Sequence, residues 1–177
     1  LAKSSSQVNL FKLHGSVNWF SFPPNTIQPG VISIGIPPNW DFRHTLDPEG
    51  KRQDSNGSNG PRPEILMGTF NKMFDYTMGI FADIYSSFRQ ALPRTENLVV
   101  SGYGFGDKGI NIQIVEWMYL SPNNKIILIE PNVENLRAQA RVVIQKHWKD
   151  WITQKKLRVI SKGIESTNWD ELSKKMN

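Results

Sequence analysis

Apolar residues in the second half of the chain follow two alternating patterns. Short runs at 98–102, 125–130 and 157–160 predict strands buried on both faces, as in a parallel sheet. Between them, apolar residues at steps of three and four predict helices. This alternation predicts an α/β fold in which helices cover both faces of a parallel sheet. The predicted helices run through Phe74, Met78, Phe81, Tyr85 and Phe88, through Ile110, Ile114, Trp117 and Met118, and through Leu136, Ala140 and Val143.

The helix that follows residue 107 has apolar residues on two sides. Asp107 is placed to cap its amino end, because a carboxylate there accepts hydrogen bonds from the first free N–H groups. Ile112, Val115 and Tyr119 form a second stripe beside the first. We therefore expect this helix to be deeply packed.

Residues 1–20 predict a strand followed by a turn that carries a histidine. Apolar residues at positions 8, 10, 11 and 13 predict a buried strand, with His14 at its carboxyl end. Gly15 allows a sharp backbone turn beside it. An imidazole there can accept a proton near neutral pH, as a general base must, although a structural histidine fits the same pattern.

Residues 21–69 are rich in Pro, Gly and Asn and predict a small, irregular insertion subdomain with one strand near 31–34. Within them, residues 47–63 contain almost no apolar side chains, so that burial cannot offset the entropy lost on ordering. We expect a mobile loop there, which is either a functional lid or a tolerated insertion. Residues 70–177 form the regular α/β portion.

Composition narrows the class of protein. The 177 residues contain no cysteine, which excludes disulfides, cysteine-bound zinc and a thiol nucleophile in this segment and is compatible with a cytoplasmic location. No apolar run approaches the roughly 20 residues needed to cross a membrane, and no signal-peptide pattern is present. The net charge of +5 is concentrated near the C-terminus, where a helix with a solvated basic face explains it without nucleic acid.

A glycine motif follows the strand at 98–102. Residues 104–109, GFGDKG, match G-x-G-x-x-G between a predicted strand and a predicted helix, and Glu130 follows 21 residues after Gly109. Glycines let a phosphate approach backbone N–H groups, and a carboxylate on the next strand can accept hydrogen bonds from ribose hydroxyls. A tight turn without a ligand is the alternative. Asp107 would repel a phosphate unless it points away as a helix cap.

Four blocks between residues 10 and 132 resemble sirtuin-like domains of a divergent prokaryotic branch. Residues 10–19, LFKLHGSVNW, resemble the signature K-L-H-G-S-x-N-W, and residues 65–69, ILMGT, resemble the segment that replaces P-x-x-V-x-F-G-E. Residues 99–107 with Ile110 and Asn111 resemble V-x-G-Y-S-F-G-D-x-x-I-N, and residues 127–132, ILIEPN, resemble the strand that faces the adenosine.

The resemblance implies a Rossmann-like domain that takes NAD⁺ as its substrate. His14 matches the catalytic histidine of the family, and the positions expected to line the nucleotide are Gly15, Gly102, Gly104, Phe105 and Glu130. Two features depart from the family. The zinc ribbon with its four cysteines is absent, which argues against an ordinary protein deacetylase, and Gly104 stands where the branch commonly has Ser.

The phosphate loop G-A-G-x-S and the catalytic N-x-D strand of the family are not in the sequence, so we expect them to precede Leu1 in a longer polypeptide. The resemblance implies an NAD⁺ glycohydrolase of anti-phage defence, cytoplasmic, fused to or partnered with a sensor module, and a homo-oligomer. A sirtuin-type deacylase or ADP-ribosyltransferase, and a non-catalytic NAD or ADP-ribose sensor, are the alternatives. Because half the pocket would be missing, we expect residues 1–177 alone to be inactive.

Overall fold

The computed structural model describes residues 8–22, 33–35, 44–46, 52–54, 63–66 and 79–176. The chain divides into two compact units. The first comprises Leu1–Gly68 with Phe74–Ile84, and the second comprises Thr69–Met73 with Tyr85–Asn177.

The first unit is antiparallel in its described part. A three-stranded sheet has the order β2–β1–β5, and β3 pairs with β4 in a separate two-stranded sheet. β2 confirms the end of the strand predicted near 31–34. β4 lies within the segment predicted to be a mobile loop, most of which is outside the described residues. The five strands are β1 (Gly15–Phe22), β2 (Ser33–Gly35), β3 (His44–Leu46), β4 (Arg52–Asp54) and β5 (Pro63–Ile65).

The prediction of a buried strand before His14 is wrong. Residues 8–12 have no regular structure, and Val8 and Leu10 are 70% and 81% exposed. β1 begins only at Gly15, so that His14 precedes a strand rather than following one. The physical reason is pairing. A strand needs a hydrogen-bonded neighbour, and in the described part of the chain the ladder with β5 begins at Gly15, opposite Ile65.

The second unit is mixed α/β, with a three-stranded parallel sheet and flanking helices. The predicted strands and the helix before Pro93 are confirmed, although the part of that helix before residue 79 lies outside the described residues. The elements are α1 (Gly79–Ala91), which begins in the first unit, β6 (Asn97–Ser101), α2 (Lys108–Leu120), β7 (Lys125–Ile129), α3 (Val133–Gln139), α4 (Val142–Thr153), β8 (Leu157–Ile160) and α5 (Trp169–Met176).

The core of this unit is built around β7, the central strand of the order β6–β7–β8. All side chains from Ile126 to Ile129 are buried, and because alternate residues point to opposite faces, both faces of β7 are covered. Leu172 and Met176 of α5 pack on one face against Ile127 and its neighbours. Consecutive apolar residues therefore correspond to a strand buried on both sides.

Two helix predictions need correction. The single helix predicted through residues 136–143 is two helices, because Ala140 and Arg141 are extended, with ψ of 152° and 148°. The stripe with Ile112 and Tyr119 on α2 is not deeply packed, since both side chains are exposed, whereas the stripe with Ile110 and Trp117 is buried. Among the described residues, no helix combines the length and apolar character needed to cross a bilayer.

Candidate functional site

His14 and Gly15 lie in the first unit, at the entry to β1. The Gly15 N–H donates to the Lys12 carbonyl at 2.9 Å, and Gly15 has φ of +78°, which favours glycine. The His14 carbonyl accepts the Leu66 N–H at 3.0 Å, which ties the turn to the chain after β5. His14 is half-buried. Both polar groups of the peptide unit between His14 and Gly15 are therefore held by hydrogen bonds.

Lys12 links other parts of the same motif. Its ammonium donates to the Ser16 hydroxyl at 2.9 Å and lies 5.9 Å from the centre of the Trp19 ring, within range of a cation–π interaction. The K-L-H-G-S-x-N-W residues thus include a set of side chains that stabilises the turn around His14.

In the second unit, the register of the sheet brings the glycine turn and Glu130 to one edge. Ser101 at the end of β6 pairs with Ile129 at the end of β7. Gly102 and Glu130 therefore leave the sheet side by side at its carboxyl edge, on strands roughly 5 Å apart. In open α/β sheets this is the edge at which ligands bind.

The glycine turn exposes its backbone. Gly102 has φ of +65°, a conformation that favours glycine. Gly104 and Gly106 have ordinary φ, are exposed, and a Cβ added at either would meet no atom within 4 Å. In the described part of the chain, neither the Gly104 N–H nor the Gly106 N–H donates to a protein acceptor. Two amides are thus open to a ligand.

Between these glycines, Phe105 is held in a strained conformation. Its φ is +50°, which costs a side chain with a β-carbon about 1–2 kcal/mol. The ring is 1% exposed and contacts Tyr103 at 5.0 Å and the edge of Trp148 at 6.2 Å between centroids. A ligand at this turn would therefore meet the exposed glycines on either side rather than Phe105 itself. Strain of this kind persists where the surroundings enforce it, and it is concentrated at functional sites.

Three side chains enforce the turn, and none of them was predicted as a site residue. Asn111, which is 0% exposed, donates from Nδ2 to the Phe105 carbonyl at 2.8 Å and accepts the Tyr103 hydroxyl at 2.8 Å. Arg141 donates from its backbone N–H to the Phe105 carbonyl at 3.1 Å and from Nε to the Gly106 carbonyl. The family pattern contains Tyr103 and Asn111, which was the available signal. Nothing local in the sequence indicates Arg141.

Asp107 caps α2, as predicted. Its Oδ1 accepts the Ile110 N–H at 3.0 Å and its carbonyl accepts the Asn111 N–H at 3.1 Å. The buried Asp107 carboxylate thus occupies the amino end of α2 itself. A phosphate would therefore meet the amides of the glycine turn instead of this helix end.

The Tyr85 hydroxyl is the titratable group near this cap whose pKa is raised. Burial is the largest cause, because it disfavours the charged phenolate. Of the neighbouring charges, Arg89 lowers this pKa, whereas Asp107 and Glu116 raise it.

Glu130 is half-buried at the tip of β7. Its Oε1 accepts the Asn132 N–H at 2.9 Å, which fixes the carboxylate beside the sheet edge. Oε2 has no protein donor in the described part of the chain. A fixed carboxylate with one open oxygen can accept hydrogen bonds from a ribose diol.

The structure thus brings together Gly102, Gly104, Phe105 and Glu130 within the second unit, whereas His14 and Gly15 belong to the first. Among the described residues, no cluster of three His, Asp or Glu side chains could hold a metal ion. Comparison with known proteins finds no family model and no curated protein that matches the sequence. The sirtuin-like assignment therefore rests on the sequence blocks and remains a prediction.

Proposed function

We propose that this chain belongs to an NAD⁺ glycohydrolase whose Rossmann-like sheet binds the dinucleotide at its carboxyl edge. One observation carries the proposal: the glycine turn with its open amides and the fixed Glu130 carboxylate leave neighbouring strands at the same level. A dinucleotide needs both features, since amides bind its phosphates and a carboxylate binds its ribose.

Strain and bracing at Phe105 support the same site. If this turn served only to connect β6 to α2, its bulky residue would not need a positive φ, since a negative φ is less strained. Here a bulky residue adopts it, and Asn111 and Arg141 both hold its carbonyl. A rigid turn pays less entropy when a ligand binds, because its amides are already oriented.

In the proposed reaction, the bond between C1′ and the nicotinamide nitrogen breaks, and its electron pair neutralises the positive charge of the pyridinium. The oxygen of a water molecule forms the new bond to C1′, and His14 accepts a proton from that water. The products are nicotinamide and ADP-ribose. General-base catalysis of this kind contributes about 10²–10⁴-fold to the rate.

Turnover by the full-length protein tests this proposal. NAD⁺ is incubated with wild type, His14→Ala and His147→Ala, and the products are separated by chromatography. His147 on α4 is a matched control because it is also half-buried. Its ring forms a hydrogen bond of 2.9 Å with the Tyr119 hydroxyl, away from the glycine turn. We expect His14→Ala to lower turnover by about 100- to 10,000-fold and His147→Ala to leave it within about twofold. Full turnover by His14→Ala would remove His14 from the mechanism.

The same assay separates the alternatives. Acyl transfer to ADP-ribose in the presence of an acetyl-lysine peptide would identify a deacylase. Binding of NAD⁺ without any turnover would identify a sensor. Either outcome would overturn the glycohydrolase while leaving the dinucleotide site in place.

A further inference from the structure

Arg141 occupies a position that local helix energetics disfavour. It is the N-cap residue of α4, and its side chain makes no capping hydrogen bond. N-caps are normally Ser, Thr, Asp or Asn, and a cation beside the positive end of a helix is unfavourable. The helix break at Ala140 and Arg141 therefore places a positive charge where the energetics of the helix end do not favour one.

The hydrogen bonds that Arg141 donates both go to the glycine turn. Its Nε donates to the Gly106 carbonyl and its N–H donates to the Phe105 carbonyl, so that the guanidinium lies at the rim of the open amides. Two other cations of this unit form ion pairs, Lys162 with Glu171 at 3.0 Å and Arg137 with Glu134 at 3.7 Å. Within the described residues, no carboxylate pairs with Arg141, and its two Nη groups have no protein acceptor.

We propose that Arg141 and the Gly104 and Gly106 amides form the diphosphate-binding site of this edge, with Arg141 as the residue that neutralises the phosphates. This inference rests on the proposed function for the identity of the ligand. A guanidinium is a planar fork that binds two phosphate oxygens at once, and one anchored by Nε loses little further entropy. The adjacent amino end of α4 adds positive potential at the same place.

Binding of ADP-ribose to the full-length protein tests the site in wild type, Arg141→Gln, Arg141→Lys and Lys108→Gln. Lys108 is the matched control, since it is exposed, close to the turn in sequence, and its substitution removes the same charge. We expect Arg141→Gln to raise Kd about 10- to 100-fold, because a charge-assisted hydrogen bond is lost. Arg141→Lys should recover part of the affinity, and Lys108→Gln should stay within about twofold.

Salt dependence separates phosphate binding from bracing of the turn. If Arg141 binds phosphate, wild-type affinity falls with added salt more steeply than that of Arg141→Gln. Equal salt dependence in the two proteins, or an equal loss of affinity in Lys108→Gln, would overturn the inference.

The two proposals fail differently. If wild type does not bind ADP-ribose, the proposed function fails, and inorganic pyrophosphate then tests the anion site alone. Shifts of the Gly104 and Gly106 amide resonances on pyrophosphate titration, absent in Arg141→Gln, would support the site. No shift in wild type would overturn it.

Discussion

Replacing Asn111 by alanine removes the side chain that holds the glycine turn on α2. Two hydrogen bonds of 2.8 Å are lost, one to the Phe105 carbonyl and one from the Tyr103 hydroxyl. Each contributes about 0.5–1.5 kcal/mol net, so the free energy of unfolding should fall by about 1–3 kcal/mol. The Phe105 carbonyl keeps the Arg141 N–H, and the Tyr103 hydroxyl keeps the Asp107 carbonyl at 3.3 Å, which limits the loss to this range.

The same substitution should weaken binding of ADP-ribose. Without Asn111, Phe105 can relax from its positive φ, and the amides on either side lose their fixed direction. We expect Kd to rise at least about tenfold, equivalent to about 1.4 kcal/mol. Urea unfolding measures the first effect, and calorimetric titration of the full-length protein measures the second.

Asn124→Ala is the matched control for this experiment. Asn124 is also buried, at 4% exposed, and donates from Nδ2 to the Trp117 carbonyl, but it precedes β7 at the opposite edge of the sheet. Its substitution should lower stability and leave the affinity for ADP-ribose unchanged. Unaltered affinity in Asn111→Ala, or an equal loss in Asn124→Ala, would refute the assignment of Asn111 to the site.

Three further predictions concern the cap, the ribose and the phenol. Asp107→Ala should lower the free energy of unfolding by about 0.5–2 kcal/mol by loss of the cap, whereas Asp107→Asn keeps an acceptor and should cost less; urea unfolding of both variants checks this. Glu130→Gln should reduce the preference for NAD⁺ over NADP⁺ in competition binding, since the carboxylate repels a 2′-phosphate; an unchanged ratio would exclude Glu130 from the ribose site. Because burial raises the pKa of Tyr85, the folded state keeps its proton where the unfolded state has lost it, and stability should fall as pH rises above about 10. Tyr85→Phe should be less sensitive to pH in that range, and an identical pH profile would contradict the raised pKa.

The sequence predicted the second unit well because its strands and helices are encoded locally. Consecutive apolar residues in β7 require burial on both faces, and the Asp107 cap depends on residues only three positions apart. The break between α3 and α4, which the apolar periodicity did not predict, depends on a tertiary contact. Apolar residues continue through Ala140, yet the helix breaks there because the Arg141 N–H bonds the Phe105 carbonyl, 36 positions earlier in the chain.

The candidate site shows the same division. The glycine spacing and Glu130 predicted one nucleotide-binding edge, and the register of β6 with β7 places both features at the carboxyl edge of the sheet. Arg141 escaped prediction because it bonds only backbone carbonyls of the turn, which leaves no pattern in neighbouring residues. Asn111 lies within the quoted family pattern, but its bonds to Phe105 and Tyr103 are set by the tertiary fold. His14 was expected to end a strand because its apolar neighbours suggested one. Apolar residues form a strand only where a partner strand is present, and here the pairing begins after His14.

The central claim is that the carboxyl edge of the parallel sheet binds a dinucleotide on its glycine turn. The most direct measurement is calorimetric titration of ADP-ribose, which the reaction does not consume, into full-length wild type, Gly104→Leu and Asn123→Leu. A Cβ added at Gly104 meets no atom within 4 Å, so we expect the fold to be preserved while the ligand is blocked. Asn123 is also exposed and lies before β7, at the opposite edge of the sheet. We expect saturable binding by wild type and Asn123→Leu and none by Gly104→Leu, and equal binding by all three proteins would show that the glycine turn does not hold the ligand.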